Sequence, residues 1–276
     1  MTRALRALVE ELEHDRSLYE PDRLSLRVEA LDRLEVYLNG DQSTEEVIYH
    51  RARALSARLE AANSDLYRAI RRDIQRGAGP DTLLPWIHKS GVAQGENYDF
   101  LDELIIGVLQ FEESGVEPAP LAAEMVFYQP TPARHIFDLI DRTALTEHDV
   151  LVDLGSGLGH VPLLASICTP ARGIGIELEP AYIDCARRSA QGLSLNNVTF
   201  LQQDARAADF STGTVFYLYT PFTGTILRAV LDSLRREASR RPIRICTFGP
   251  CTPIIAEEQW LDGKGPFYPD RIAIFS

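Results

Sequence analysis

The stretch DVLVDLGSGLGH, residues 149–160, decides the fold of this chain. A run of apolar residues ends at Asp153 and is followed by glycines at every second position, Gly155, Gly157 and Gly159. A buried strand that breaks into a glycine-rich turn and then a helix is how α/β proteins bring backbone amides close to a nucleotide-like ligand. The stretch therefore predicts the first strand–turn–helix unit of a parallel sheet.

The residues around the glycines favour one kind of ligand. A carboxylate at the end of the strand, Asp153, would repel a pyrophosphate and attract an ammonium group. A dinucleotide-binding turn would have its third glycine where this chain has His160. We therefore expect S-adenosylmethionine, with free amides of the turn, including Ser156, near its methionine carboxylate. The glycines would let the backbone approach the ligand where a Cβ would intrude.

Two further carboxylates follow the next two predicted strands. Residues 173–177 end in Glu177, where an acidic side chain can accept hydrogen bonds from both ribose hydroxyls. Residues 198–202 lead to Asp204, which we expect to bind the adenine amino group, while Ala205 leaves room for the ring. Taken alone, Glu177 would be a solvated strand end and Asp204 a helix cap or a turn residue.

Strand and helix patterns alternate to the end of the chain. This alternation indicates an α/β fold with a doubly wound, mostly parallel sheet over residues 118–276. The predicted strands are residues 150–154, 173–177, 198–202, 215–219, 243–248 and 271–275. The predicted helices are residues 133–140, 161–167, 180–195, 224–240 and 254–261.

Residues 1–117 predict a separate, all-helical region. Leu5, Leu8, Val9 and Leu12 recur at helical spacing, and similar apolar stripes follow along this region. We expect these stripes to pack helix against helix, and a cap over the substrate or a homodimer interface are the alternatives. A proline-containing stretch at residues 115–120 predicts a linker between the two parts.

The composition excludes several classes of function. The chain has 28 Lys and Arg against 40 Asp and Glu, a formal net charge of -12, so we do not expect broad nucleic-acid binding. The four cysteines form no CxxC pair, which argues against a metal site and predicts reduced thiols. No apolar run reaches the roughly 18 residues of a membrane helix. We therefore expect a cytoplasmic protein without a metal or a membrane span.

The segment before the first strand, YQPTP at residues 128–132, predicts a stiff strap across the ligand. Two prolines keep it extended. Tyr128, Gln129 or Thr131 would then contact the methionine part of the ligand, and Thr131 is also a candidate cap for the helix that follows. The alternative is a connector that only docks the helical region.

The fourth predicted strand and its exit loop are VFYLYTPF, residues 215–222. This loop should lie beside the methyl group of S-adenosylmethionine, because such loops form the site in doubly wound sheets. Enzymes that methylate base amines often carry an Asn or Asp here, and this chain has Tyr219 followed by Thr220. This difference argues against methylation of a base. We expect Tyr219, Thr220 and Tyr128 to form a channel through which the methyl acceptor reaches the ligand. Cys251, in the next loop, lacks an evident base and should be an inert thiol.

The glycine turn, the acidic end of the second strand and Asp204 together resemble the class I S-adenosylmethionine-dependent methyltransferases, over residues 128–275. YQPTP, DLGSG and VFYLYTPF are similar to a subgroup that includes protein-lysine methyltransferases. The resemblance implies a Rossmann-like fold, S-adenosylmethionine as methyl donor, and in-line transfer to a nucleophile such as a protein side-chain amine. A small-molecule acceptor under a helical lid, a non-catalytic S-adenosylmethionine-binding protein and an NAD-dependent oxidoreductase are the alternatives.

Overall fold

A computed structural model describes residues 2–39, 46–89, 94–111, 124–263 and 265–276 of the chain. The linker predicted at residues 115–120 lies outside these ranges. No helix in the described ranges is long and apolar enough to cross a membrane.

The N-terminal part is helical, as predicted. The apolar stripes that indicated helices are buried, including Leu5, Leu8, Val9 and Leu12. Helix α5, Phe100–Leu109, begins with a capping box. The Asp99 side chain accepts from the Leu101 amide at 2.8 Å, and the Asp102 side chain accepts from the Asp99 amide at 2.7 Å. The helices of this part are α1 Thr2–His14, α2 Leu24–Leu38, α3 Glu46–Gln75, α4 Gly79–Ile87 and α5 Phe100–Leu109.

The C-terminal part is a mostly parallel sheet in the order β3-β2-β1-β4-β5-β6, with only β6 antiparallel to its neighbour. All six strands end at the residue that the sequence predicts, because each run of apolar residues stops where the sheet opens into a loop. The strands are β1 Val150–Leu154, β2 Arg172–Glu177, β3 Val198–Gln202, β4 Val215–Tyr219, β5 Arg244–Phe248 and β6 Ala273–Phe275.

Helices cover both faces of this sheet, which confirms the predicted doubly wound fold. Every residue of β1 is buried, as expected for a central parallel strand. Leu151 packs in one apolar layer with α6 to α8, and Val150 and Val152 pack in the opposite layer with α9 and α10. The helices of this part are α6 Ala133–Thr143, α7 His160–Cys168, α8 Pro180–Gly192, α9 Gly224–Ala238 and α10 Cys251–Ala256.

Helix α10 differs from the prediction of residues 254–261. It begins three residues earlier because the Cys251 amide donates to the Thr220 side-chain oxygen at 2.9 Å and the Thr252 amide donates to the Gly249 carbonyl at 3.0 Å. These two bonds use amides that a helix start leaves without partners inside the helix. After Ala256 the chain continues in turns.

The helical part shares a core with the sheet. Ile74 of α3, Trp86 of α4 and Leu104 of α5 belong to the same buried cluster as Leu151 of β1. Helices α1 and α2 instead pack on the first half of α3 in a separate cluster. The sheet and helices α3 to α5 therefore support one another, and the division of the chain near residue 117 stays a prediction.

Candidate functional site

A cavity of about 480 Å³ lies at the carboxyl ends of β1 and β4. This is the point at which the strand order reverses, where open α/β sheets bind their ligands. Gly157 and Gly159 are not among its lining residues. The other residues that the sequence predicted for the site all line it: Tyr128, Thr131, Asp153, Gly155, Ser156, Glu177, Asp204, Ala205, Tyr219 and Thr220.

Asp153, at the C-terminal half of β1, is a buried carboxyl in the wall of this cavity. Its side chain is 4% exposed, and burial, with the nearby Glu177 as a second cause, raises its pKa well above the usual range. Within the described ranges we find no hydrogen-bond donor to this carboxyl. A buried carboxyl without a partner is costly to ionise, so a cationic group in the cavity would stabilise its charged form.

The amides of the glycine turn are not free, which corrects the sequence prediction. Those of Gly155 and Ser156 donate to the Ile176 carbonyl at 2.8 and 3.0 Å, and that of Gly159 donates to the Ser156 carbonyl at 2.8 Å. The amide of Gly157 donates to Glu177 Oε2 at 2.9 Å. The end of β2 thus accepts from the amides of Gly155, Ser156 and Gly157, which we expected from the sequence to be available to a ligand carboxylate.

Each of the three glycines makes room for a protein side chain, a role that the sequence prediction did not include. All have positive φ, at 79° for Gly155, 51° for Gly157 and 85° for Gly159. A Cβ would overlap Pro221 at the first position, the ring of Tyr128 at the second and the ring of Phe200 at the third. The turn is therefore the packing surface for neighbouring loops of the site.

Glu177 binds three backbone amides. Oε1 accepts from Leu178 at 2.7 Å and from Glu179 at 2.9 Å, and Oε2 accepts from Gly157. A carboxylate has about four acceptor positions, so one position on Oε2 is left for a ligand. The predicted grip on two ribose hydroxyls would require one of these amides to be released.

Asp204 lies at the rim of the cavity and has a structural role of its own. It caps the short 3-10 helix Ala205–Ala207 by accepting from the Arg206 amide, and it forms an ion pair with the Arg206 side chain at 2.6 Å. The Arg206 guanidinium holds the pKa of this carboxyl below its usual range. The cap that the sequence offered as an alternative is therefore present, and Ala205 lines the cavity beside it.

The strap predicted at residues 128–132 is longer in the structure: it runs over residues 124–132, of which 125–131 line the cavity. Its first residue, Glu124, accepts from the amides of Thr225 and Ile226 at 3.0 and 3.2 Å, at the N-terminus of α9. The Val126 amide donates to the Pro221 carbonyl at 3.3 Å. No local sequence pattern marks Glu124, because its partners lie about 100 residues further along the chain.

Tyr128 is the centre of the strap. Its ring lies against Gly157, and its hydroxyl lies 3.1 Å from His160 Nδ1. Burial raises the pKa of Tyr128 and lowers that of His160 to about 4, so both are neutral at physiological pH. The two residues therefore tie the strap to the glycine turn.

Thr131 does not cap α6, contrary to the prediction. The residue before that helix is Pro132, without a capping side chain. The Thr131 hydroxyl instead pairs with that of the fully buried Tyr217 at 2.8 Å. Pro132 displaces the cap by one residue, and the extended backbone before it directs Thr131 to the sheet.

Tyr219 at the end of β4 and Thr220 in the loop after it both line the cavity, and Thr220 also bonds to the start of α10. The ring of Tyr219 packs on Phe248 at 4.7 Å, and burial raises its pKa to about 12. Thr220 has an unusual φ of 39°, and its side-chain oxygen accepts from the Cys251 amide. The thiol of Cys251 is buried with a raised pKa, in agreement with an inert role.

The described ranges contain no group of three or more His, Cys, Asp or Glu side chains that could hold a metal ion. The histidines next to the cavity form local contacts: His160 with Tyr128, and His135 with the Gly95 carbonyl at 2.7 Å.

The strand order, the turn after β1 and the carboxylates after β2 and β3 give this part of the chain the fold of the class I S-adenosylmethionine-dependent methyltransferases. Residues 124–213 match the family model described as histone methylation protein DOT1. The matched segment includes the strap, the glycine turn and the ends of β2 and β3. It confirms the predicted partial resemblance to a subgroup that includes protein-lysine methyltransferases.

Two kinds of curated relative match shorter segments. An uncharacterized RNA methyltransferase of Lactiplantibacillus plantarum is 34% identical over 86 residues, 30% of this chain and 18% of that protein. A histone-lysine N-methyltransferase specific for lysine 79 of histone H3, from Cryptococcus neoformans, is 45% identical over 56 residues, 20% of this chain and 9% of that protein. The chain thus spans less than a fifth of the length of either relative.

Solved structures give looser similarities. An RNA methyltransferase from Salinibacter ruber in complex with S-adenosyl-L-homocysteine is 23% identical, covers 53% of this chain and 91% of its own, and has a TM-score of 0.41. A precorrin-6Y C5,15-methyltransferase from Geobacter metallireducens is 16% identical over 56% of this chain and 90% of its own, with a TM-score of 0.40. The fold assignment rests on the strand order of the chain itself.

Proposed function

We propose that this chain is an S-adenosylmethionine-dependent methyltransferase that acts on a side-chain amine of a protein. One observation carries the proposal: Asp153, a buried carboxyl for which the described residues offer no hydrogen-bond donor, lies near Glu177 in a cavity at the reversal point of the sheet. That pair suits a ligand with a cationic end and a ribose. The family match over the same residues supports this ligand.

The charges of the cavity support a cationic ligand over a dinucleotide. Four carboxyl groups line it, those of Asp153, Glu177, Glu179 and Asp204. One guanidinium lines it as well, and Arg206 already pairs with Asp204. A pyrophosphate would meet mainly negative charge here, whereas a sulfonium and an ammonium group would be attracted.

The residues present fit S-adenosylmethionine. Asp153 would hold the ammonium of its methionine part, the free position of Glu177 Oε2 a ribose hydroxyl, and the loop at Asp204 and Ala205 the adenine. When bound, S-adenosylmethionine supplies an electrophilic methyl group: the acceptor nitrogen forms the new bond with its lone pair, and the bonding pair of the broken S–CH3 bond stays on sulfur.

The remaining predicted cofactor residues would act through the shape of the site. Gly155 and Gly157 allow Pro221 and Tyr128 to close over the turn, and Gly159 allows α8 and β3 to pack against it. Ser156 and Thr131 line the wall. These residues would exclude water from the transfer and hold the loops in place.

No tyrosine of the channel is suited to remove a proton. Burial raises the pKa of Tyr219 to about 12 and raises that of Tyr128 as well, so both hydroxyls stay protonated at neutral pH. The acceptor ammonium would therefore lose its proton to water before transfer. The roles of the chain are to orient the neutral amine and to keep the channel dry.

Two observations together favour a protein amine as the methyl acceptor: the name of one relative, and the negative charge of the cavity. The relative from Cryptococcus neoformans is named for a histone lysine. The relative from Lactiplantibacillus plantarum is named for RNA, but the carboxyls of the cavity would repel a phosphate backbone. A small metabolite and a binding protein without transfer are the other outcomes of the test.

The test is methyl transfer from tritiated S-adenosylmethionine into a cell lysate that is then separated into protein, nucleic acid and small molecules. We expect the label in protein, released as methylated lysine on acid hydrolysis. Asp153→Asn should abolish the transfer, and Glu29→Gln, an exposed carboxyl on α2, should leave it unchanged. Label confined to RNA or to small molecules would contradict the proposed acceptor.

We further propose a cytoplasmic location, which the free thiols of Cys168, Cys246 and Cys251 support because thiols persist in reducing compartments. The two-part division at about residue 117 and a homodimer through the helical part stay predictions.

A further inference from the structure

A short loop of the helical part, residues 94–99 just before α5, lies against the strap, whose residues line the cavity. The loop is held from several sides. The Gly95 amide donates to the Asp270 carbonyl at 3.1 Å, and His135 Nε2 donates to the Gly95 carbonyl at 2.7 Å. The Arg134 guanidinium donates to the Asn97 carbonyl. The loop is therefore fixed against α6 and the segment before β6.

Tyr98 of this loop joins the strap. Its hydroxyl donates to the Pro130 carbonyl at 2.8 Å, while its side chain stays 46% exposed. Pro130 lines the cavity. The aromatic ring of Tyr98 thus lies on the outer side of the strap, where a molecule entering from solvent would meet it.

Tyr219 lines the cavity, and burial is the main cause of its raised pKa. The nearby Tyr98 hydroxyl and Glu96 carboxylate raise this pKa further, so the loop lies within electrostatic range of the cavity lining. Glu96 is exposed, and in the described part of the chain we find no cation paired with it. The nearest carboxylate of the same loop, Asp99, is paired with Arg134 at 3.3 Å. Glu96 is therefore the loop charge that is available to a ligand.

The strap adds exposed apolar side chains at the mouth of the cavity. Phe127 of the strap lines the cavity and is 79% exposed, and Val126 beside it is 39% exposed. Large exposed apolar groups around a cavity are typical of a surface that binds a partner. The mouth therefore combines aromatic rings, one unpaired carboxylate and an apolar edge.

We infer that the loop at residues 94–99 selects the methyl acceptor, by binding a cationic side chain of a polypeptide between Glu96 and the rings of Tyr98 and Tyr219. Aromatic faces attract ammonium groups, and the carboxylate of Glu96 adds charge attraction at the mouth. The bound side chain then loses its proton before it reaches the dry channel. The inference rests on the proposed function and assigns acceptor choice to the helical part of the chain.

The experiment compares two fluorescent peptides of identical neutral sequence, one with a single lysine and one with acetyl-lysine. Binding is measured by fluorescence anisotropy to the full chain saturated with S-adenosylhomocysteine. We expect the wild type to prefer the lysine peptide by about five-fold, equivalent to about 1 kcal/mol. Glu96→Gln should remove the preference, and Tyr98→Ala should weaken binding of the lysine peptide.

Two controls separate selection from structure. Glu29→Gln changes the net charge equally and should keep the wild-type preference. Added salt should reduce the preference in the wild type and have no effect on it in Glu96→Gln, because exposed charges are screened. Equal binding of both peptides by the wild type, or an unchanged preference in Glu96→Gln, would overturn the inference. A wild type that does not bind S-adenosylhomocysteine would instead overturn the proposed function.

Discussion

The Gly157 amide donates to Glu177 Oε2 at 2.9 Å, so the turn after β1 is bound directly to the end of β2. The same carboxylate accepts from Leu178 and Glu179. One side chain thus holds two loops of the cavity in position. Its removal should affect both the loops and any ligand between them.

Glu177→Gln should therefore lower both stability and affinity for S-adenosylmethionine. The new amide group turns one acceptor into a donor that faces a backbone N–H. We expect a loss of about 1–3 kcal/mol in unfolding free energy and a fall of at least about ten-fold in affinity. Urea unfolding and calorimetric titration measure the two effects, with Glu29→Gln as control. A variant with normal affinity would show that Glu177 does not touch the ligand.

Asp153→Asn should stabilise the ligand-free protein. The folded-state pKa of Asp153 is raised above the unfolded value of about 3.9, so its contribution to stability is present below that pH and is lost as pH rises toward the folded pKa. At neutral pH the asparagine avoids this cost. We expect a rise of on the order of 2–4 °C in melting temperature at pH 7 and a smaller difference at pH 4. An equal or lower melting temperature at pH 7 would argue against the buried carboxyl.

Gly157→Ala should displace Tyr128. The added Cβ would overlap the Tyr128 ring, and φ of 51° is unfavourable for alanine. We expect a loss of about 1–3 kcal/mol in stability. In a Tyr128→Ala background the same substitution should cost less, because only the backbone strain remains. Equal costs in both backgrounds would show that the ring is not the obstacle.

Arg27→Met should unfold the outer helices. Arg27 is 1% exposed and donates to Asn63 Oδ1 at 2.5 Å and to the carbonyls of Leu18 and Glu20 at 2.9 and 2.7 Å. Methionine leaves these acceptors without donors, at a cost of about 3 kcal/mol. Arg72→Met, at an exposed position on α3, is the control. Hydrogen exchange should show increased opening in α1 and α2; unchanged protection there would contradict this role.

The strands could be predicted because burial decides them. A central parallel strand is covered on both faces, so β1 is buried throughout and apolar except for Asp153, and its last residue, Leu154, directly precedes the first glycine. The helical stripes of the N-terminal part were predicted for the same reason. Such patterns are local in the sequence and need no knowledge of distant partners.

The site was harder to predict where a residue's partner lies far along the chain. Thr131 binds Tyr217, 86 positions away, and Glu124 binds the start of α9, about 100 positions away. The Gly157 amide was expected to be free, but Glu177, 20 positions further along, accepts from it. Groups that a sequence pattern assigns to a ligand can therefore be hydrogen-bonded within the protein itself.

The most direct measurement is calorimetric titration of S-adenosylmethionine into the wild type and Asp153→Asn between pH 5 and pH 8, with NAD as a comparison ligand. A cationic ligand favours the charged form of Asp153, so binding releases a proton from a carboxyl whose ligand-free pKa is raised. We predict one site per chain, wild-type affinity that increases with pH through this range, and weaker, pH-independent binding by Asp153→Asn. Absence of binding, equal affinity in both proteins, or preference for NAD would contradict the account.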